Sequence, residues 1–198
     1  MLLNNEIIID KDGSLALYPT FLDVAEANFY KQHFLEHIHW QQYDIRIFGR
    51  TIPQPRLSAW YGDAGAAYSY SGISLEPLPF TPELLQLKQR IETQTQQRFN
   101  SVLLNLYRHQ NDSMGWHSDD EKELGTNPFI ASISLGSNRT FLVKHKQQKS
   151  LKGKLDLCHG SLLCMGGSFQ AFWQHAVPKT KVPCGPRINL TFRQIIKR

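Results

Sequence analysis

His117 and Asp119 stand two positions apart in Trp116-His117-Ser118-Asp119, and a lone histidine, His175, follows Phe169-Gln170-Ala171-Phe172-Trp173, an aromatic run that reads as a buried strand. Side chains two apart in an extended segment share a face. His117 and Asp119 therefore offer an imidazole and a carboxylate to one metal ion. Alone the pair is ordinary, because Ser118, Asp119 and Asp120 also suit a surface turn. A third segment, Pro186 to Arg193, alternates strictly: Ile188, Leu190 and Phe192 face one way, and Arg187, Asn189, Thr191 and Arg193 the other. A half-exposed strand alternates too. A guanidinium, however, grips a carboxylate in a planar two-pronged contact. Two arginines, an amide and a hydroxyl on one face suit a small dicarboxylate.

Two histidines and one carboxylate with open positions form the facial triad of non-haem Fe(II) oxygenases. An iron site beside a carboxylate-binding strand points to a 2-oxoglutarate-dependent dioxygenase. These residues also carry a resemblance. His117-x-Asp119, His175 and Arg187-x-Asn189-x-Thr191-x-Arg193 resemble the signature of the AlkB family of nucleic-acid dealkylating dioxygenases. So do Asn105-x-Tyr107, Tyr61-Gly62-Asp63-Ala64-Gly65, Tyr70-Ser71-Gly72 and His159-Gly160-Ser161-Leu162-Leu163. The resemblance runs from about residue 45 to the C-terminus and is closest to the small DNA-repair members.

The resemblance implies Fe(II), 2-oxoglutarate and O2 as cofactors, with His117, Asp119 and His175 as the metal ligands. It gives Arg187 the distal carboxylate of 2-oxoglutarate and Arg193 the region of the metal-bound carboxylate. At strand rise their Cα atoms lie roughly 20 Å apart, so backbone placement alone does not bring both to one carboxylate; the roles that the resemblance implies need their long side chains to converge from both ends. Asn105 and Tyr107 match further co-substrate positions, and Asn189 and Thr191 line the pocket between the arginines. Tyr68, Tyr70 and Ser71 match the lesion-base pocket, where a flipped base needs an aromatic plate and edge donors. Asp120 and Glu121 would favour a cationic methylated base; otherwise they are solvated turn residues. Phe48 resembles the finger that duplex-repairing members wedge into the stack; otherwise it is a core strand residue. Lys144, Lys146 and Lys149, with Lys152 and Lys154, either contact phosphates or form a solvated hairpin. That loop is shorter than in the animal duplex-repair members, and Tyr70 stands where those members have Phe.

The implied activity is oxidative demethylation of N-alkylated bases of the 1-methyladenine and 3-methylcytosine type in DNA, releasing formaldehyde. Alkylated DNA is the expected partner, single-stranded or double-stranded, with RNA as a further candidate. Rival readings are an RNA or protein 2-oxoglutarate oxygenase, and a non-catalytic nucleic-acid-binding β-sandwich.

The chain of 198 residues is 41 % hydrophobic, with a net charge of +5 and a pI near 9.1. That balance suits a globular chain that buries a core and permits a polyanionic partner without requiring one; a monomer is expected. Cys158, Cys164 and Cys184 are too few and too scattered for a zinc or disulfide framework. With no transmembrane run and no basic leader, the expectation is an intracellular protein, cytoplasmic if bacterial and nuclear if eukaryotic.

The elements that must position these residues are predicted as α+β. Apolar runs around Asp10-Lys11-Asp12-Gly13 predict a hairpin. A helix is expected from Thr20, with Asp23 at the capping-box position. His33 and His37 have helical metal spacing but no third ligand and are read as solvated. Thr81-Pro82-Glu83 starts a second helix, whose apolar face is Leu84, Leu87 and Ile91. Short strands at 102–107, 129–135, 140–145, 154–158, 161–165, 171–175 and 187–196 predict a jelly roll, a double-stranded β-helix. The N-terminal helices pack on one face. One catalytic domain spans 1–198, with a jelly-roll core at 101–198. The Pro-, Gly- and Tyr-rich segment within 40–80 reads as an irregular nucleotide-recognition lid.

Overall fold

Residues 3, 5–47, 50–66, 68–70 and 73–196 are described by a computed structural model. The N-terminal third holds β1 (Glu6–Ile9), β2 (Ser14–Tyr18), α1 (Val24–His37), β3 (Asp44–Ile47), β4 (Arg50–Pro53) and β5 (Leu57–Gly62). Then come β6 (Tyr68–Tyr70), β7 (Ile73–Leu75) and α2 (Pro82–Thr95). The remainder is β8 (Ser101–Tyr107), β9 (Met114–His117), β10 (Ile130–Gly136), β11 (Arg139–His145), β12 (Lys152–Leu157), β13 (Leu162–Gly166), α3 (Phe169–Phe172), β14 (Trp173–Val177) and β15 (Arg187–Arg193).

Seven strands pair in the order β1-β2-β13-β10-β15-β8-β5, and four in the order β12-β11-β14-β9. The two sheets face each other across one apolar layer, which includes Leu103, Ile130, Phe141, Val143, Leu163, Met165 and Phe169. A second layer joins the outer face of the larger sheet to the helices. There Ala27 and Phe34 of α1 and Leu84, Leu87 and Ile91 of α2 meet Val102, Leu104, Ile133, Ile188, Leu190 and Phe192. This is the expected jelly roll with helices on one face. Because β15 is buried on both sides, its two alternating faces serve two layers: the apolar one meets the helices and the polar one faces the smaller sheet.

Several local expectations shift. Asp23 is the N-cap of α1 itself: it accepts from the Glu26 N–H, and the Glu26 carboxylate accepts from the Asp23 N–H. The helix thus begins at Val24 and not at Thr20, because the reciprocal cap satisfies the orphan amides there. Phe21 and Leu22 are buried ahead of the helix rather than on it. The run Phe169–Phe172 is one helical turn, and the strand starts only at Trp173. The stretch 40–80 is not wholly irregular. It contains the β3–β4 and β6–β7 hairpins, and its β5 is a buried strand paired with β8. Together β1, β2 and β5 extend the sheet beyond the expected core of 101–198.

The turn of the β1–β2 hairpin latches onto α3 and the adjoining ends of β11 and β14. Gly13 has φ +119°, and a Cβ there would fall 2.2 Å from Phe169 N, so this turn requires glycine. Asp12 Oδ2 lies 3.2 Å from His145 Nε2, and Trp173 Nε1 donates to the Lys11 carbonyl at 3.1 Å. The cysteines are all free, and burial pushes the Cys164 thiol up to about 12. No described helix is long and apolar enough to cross a membrane.

Candidate active site

Strand pairing brings the distant metal-type residues together. His117 ends β9 directly opposite His175 of β14, and their rings lie 4.2 Å apart. Asp119 follows just beyond the strand. Its backbone N–H donates to Gln170 Oε1 at 2.9 Å, and Ser118 Oγ donates to the Trp173 carbonyl at 2.8 Å. Ligand atoms of His117, Asp119 and His175 all lie within 4.8 Å of one another, the one such group of three among the described residues.

Their electrostatics suit a cation. Burial pushes His175 down to about 3, with His117 adding to the effect and Asp119 opposing it, so the imidazole is neutral. Burial alone would raise Asp119, but Arg193 above all, with His175 and His117, holds its carboxyl below the usual range. Neutral imidazole and ionised carboxylate are the ligating forms. His117 Nδ1 lies 2.9 Å from the Gly115 carbonyl; donation there leaves Nε2 as the lone pair. His175 Nδ1 is buried with no hydrogen-bond partner. His175 Nε2 stays 3.7 Å from Asp119 Oδ2, too far for a hydrogen bond. Arg193 Nη2 donates to Asp119 Oδ1 at 2.5 Å, which orients the carboxylate from behind.

Beside the three ligands opens a cavity lined by the polar face of β15 and by Asn105, Tyr107, Ser132 and Phe141. Cross-strand register builds it. Tyr107 faces Arg187 and Asn105 faces Asn189, while Ser134 and Ser132 of β10 face Asn189 and Thr191. Arg187 is 1 % exposed. Burial pulls its guanidinium down to about 10, so it remains a cation at neutral pH. Its Nη2 donates to Ser134 Oγ and Asn189 Oδ1, both at 2.9 Å. Nε and Nη1 are buried without a hydrogen-bond partner. A buried cation with spare donors calls for an anion. The donor set and the spare donors together fit a divalent metal with a carboxylate co-substrate.

Residues 14–193 match the 2OG-Fe(II) oxygenase superfamily. Alpha-ketoglutarate-dependent dioxygenase alkB homolog 3 of Mus musculus is 45 % identical over 190 residues, covering 91 % of this chain and 66 % of that protein. DNA oxidative demethylase ALKBH2 of Arabidopsis thaliana is 36 % identical over 213 residues, covering 93 % of this chain and 67 % of that protein. The chain belongs to the AlkB family of 2OG-Fe(II) oxygenases. The solved structure of OsALKBH1 shares the fold, with a TM-score of 0.67 at 18 % identity over 96 % of this chain and 100 % of that one. The chain spans just under two thirds of the length of the mouse relative.

An AlkB-family oxygenase uses Fe(II) and 2-oxoglutarate, and the sequence-predicted residues for both groups lie at this one cavity: His117, Asp119 and His175 on one side, Asn105, Tyr107, Arg187, Asn189, Thr191 and Arg193 on the other. The remaining expectations are less gathered. Asp120 is exposed, its carboxylate 3.3 Å from Lys146 Nζ. Lys146 also donates to the Gln170 carbonyl at 2.8 Å, which commits that ammonium to the protein. Glu121 occupies the N-cap position of a 3-10 turn at Lys122–Leu124, without a side-chain capping hydrogen bond. Lys149 is exposed in the β11–β12 loop, and Lys144 Nζ lies 4.3 Å from the Trp116 ring centre. Tyr68 and Tyr70 bound β6. Phe48 and Ser71 lie outside the described residues.

Sequence reasoning missed Ser132, which lines the cavity, and several residues that hold its lining in place. Ser132 and Ser134 alternate within an otherwise apolar β10, a signal available in the sequence. Arg56 is 4 % exposed and gives none, since it sits in a Pro-rich stretch. Its Nε donates to Asn105 Oδ1 at 3.0 Å, and Ser58 Oγ donates to the same oxygen at 2.9 Å. Two donors on the oxygen turn the Asn105 NH2 group away from them. Arg139, 3 % exposed, lies behind the lining residue Tyr107, its Cζ 5.6 Å from that ring centre, and donates to the Asp112 and Pro178 carbonyls at 2.8 and 2.6 Å.

Proposed function

We propose that this protein removes methyl groups from ring nitrogens of DNA bases by oxidation. The observation that carries the reading is one cavity with a His117–Asp119–His175 group at one wall and a buried, under-satisfied Arg187 at the other. Support for DNA as substrate comes from the relative named a DNA oxidative demethylase.

His117, Asp119 and His175 would hold Fe(II), which with 2-oxoglutarate and O2 supplies the oxidation that turns an N-methyl group into one shed as formaldehyde. Arg187 binds the distal carboxylate of the co-substrate through the donors it does not spend on Ser134 and Asn189. Asn105 presents its amide N–H groups, fixed by Arg56 and Ser58. Leu103, Phe141, Met165 and Val177 exclude water from the apolar part of the cavity. Arg193 keeps the Asp119 carboxylate turned towards the histidines. Tyr68, Tyr70 and Ser71 take the flipped base, Asp120 and Glu121 favour its positive charge, and the parts of the segment 40–80 on either side of the buried β5 cover it. The protein works as a monomer in solution.

The test is formaldehyde release from oligonucleotides carrying 1-methyladenine, single- and double-stranded, in DNA and RNA, with Fe(II) and 2-oxoglutarate. Release from DNA, abolished in Asp119→Ala, is expected. Turnover confined to RNA, or survival of activity in Asp119→Ala, overturns the reading. In the same assay Phe48→Ala should slow duplex repair more than single-strand repair, because a wedge has a stack to fill only in a duplex.

A further inference from the structure

Strand β9 carries His117 on its inner face and Trp116 on its outer face, where a groove opens. Alternation along β11 sends Phe141, Val143 and His145 into the core, which leaves Leu142 and Lys144 outside. Register sets Lys152 across from Lys144 and Lys154 across from Leu142. On the other flank Leu142 pairs with Ala176, a small residue on β14. A shallow groove results, lined by Trp116, Leu142, Lys144, Lys152, Gly153 and Lys154. Its bed is apolar: an indole 43 % exposed, a leucine and lysine stems. Its charges are ammonium groups, one of them lying 4.3 Å from the indole ring centre. The carboxylate on this face, Asp156, lies at the far end and accepts from Thr140 Oγ.

We propose that this face carries the single-stranded nucleic acid flanking the base held in the cavity; the proposal rests on the substrate class argued above. An apolar bed beside an exposed indole suits flat base faces, and the bordering ammoniums suit phosphates. A duplex hides its base faces and presents phosphates, so the indole and leucine would meet nothing complementary. An acidic peptide would satisfy the lysines but offers no repeated planes to the bed. Continuity with the site is covalent, because Trp116 precedes the ligand His117 on the strand that separates groove from cavity. The face therefore favours unpaired strands through their flanks, independently of any element that opens a duplex.

The experiment compares single-stranded DNA oligonucleotides with a central 1-methyladenine, about five and about twenty nucleotides long. Trp116→Ala should raise KM for the long strand about fivefold or more, consistent with loss of one stacked base, and leave KM for the short strand and kcat unchanged. Trp116→Phe should restore most of the loss. Lys152→Gln with Lys154→Gln should flatten the salt dependence of long-strand binding by about 1.4 in log–log slope, two phosphates' worth. Equal loss on both lengths would mean that Trp116 acts through His117, and no loss on either would mean that the face is unused; both outcomes overturn the proposal. Fluorescence anisotropy with an unmethylated strand of the longer length separates this inference from the activity. A wild type that binds but does not demethylate overturns the activity, whereas variants that bind as tightly as wild type overturn the groove.

Discussion

Arg187 and Asn105 show how single side chains are prepared for a ligand before it arrives. A guanidinium 1 % exposed, with one nitrogen satisfied and two not, is costly unless an anion completes it. Arg187→Lys keeps a charge but loses the planar fork. KM for 2-oxoglutarate should rise about tenfold or more, equivalent to ~1.4 kcal/mol, in steady-state assays with varied co-substrate; an unchanged KM would move Arg187 out of the binding contact. Asn105 poses a subtler question, because its orientation is imposed by neighbours. Arg56→Ala removes one of the two donors on Asn105 Oδ1. The amide is then free to turn, and KM for 2-oxoglutarate should rise several-fold while kcat at saturating co-substrate holds. Loss of kcat alone would mean that Arg56 supports something other than Asn105.

Among the elements, the β8–β9 connection positions His117. Asp112, 2 % exposed, accepts from the Arg108 backbone N–H at 2.9 Å and from its guanidinium at 2.8 and 3.0 Å, which closes the turn before β9. Burial raises the carboxyl, but the Arg108 hydrogen bonds and charge lower it further, so it ends below its usual value. A depressed folded value means that the stabilisation is present above the unfolded carboxyl, near 3.9, and is lost as pH falls through the folded one. Asp112→Asn should cost about 1–3 kcal/mol at neutral pH, and it should lose less than wild type on acidification. Urea unfolding from pH 7 down to pH 3 reads both; parallel stability–pH curves for the two proteins would contradict the assignment.

At the scale of the whole molecule the cavity lies between two sheets, so a ligand there ties them together. Metal and co-substrate bind the folded chain only, and at about a hundredfold over Kd each adds ~2.7 kcal/mol. Mn(II), as a redox-inert substitute, together with 2-oxoglutarate should raise Tm by roughly 10–20 °C in a chain of this size. Asp119→Ala should lose most of the metal-dependent part. A melt indifferent to both ligands would place binding elsewhere than between the sheets. The N-terminal hairpin belongs to the same scale: β2 covers the edge of β13, and its turn anchors to Phe169, His145 and Trp173 near the metal strand.

Much of this was legible in the chain itself. Period-two alternation in 187–193 separated the helix-facing residues Ile188, Leu190 and Phe192 from the cavity-facing Arg187, Asn189, Thr191 and Arg193, because side-chain direction in a strand is a local property. The Thr81-Pro82 helix start and the Asp10–Gly13 turn were legible for the same reason. The pairing of His117 with His175 required strand register, and register is set by which faces a folded sheet buries. A sequence without Gly or Pro signals inside Phe169–Trp173 could not distinguish one helical turn from a strand, since a short apolar run fits either. Nor could it show that β5 leaves the supposed lid to join the larger sheet, or that Arg56 reaches Asn105 across 49 positions. Residue types and spacing determined which chemistry was on offer; long-range packing decided which side chains meet, and in what orientation, to perform it.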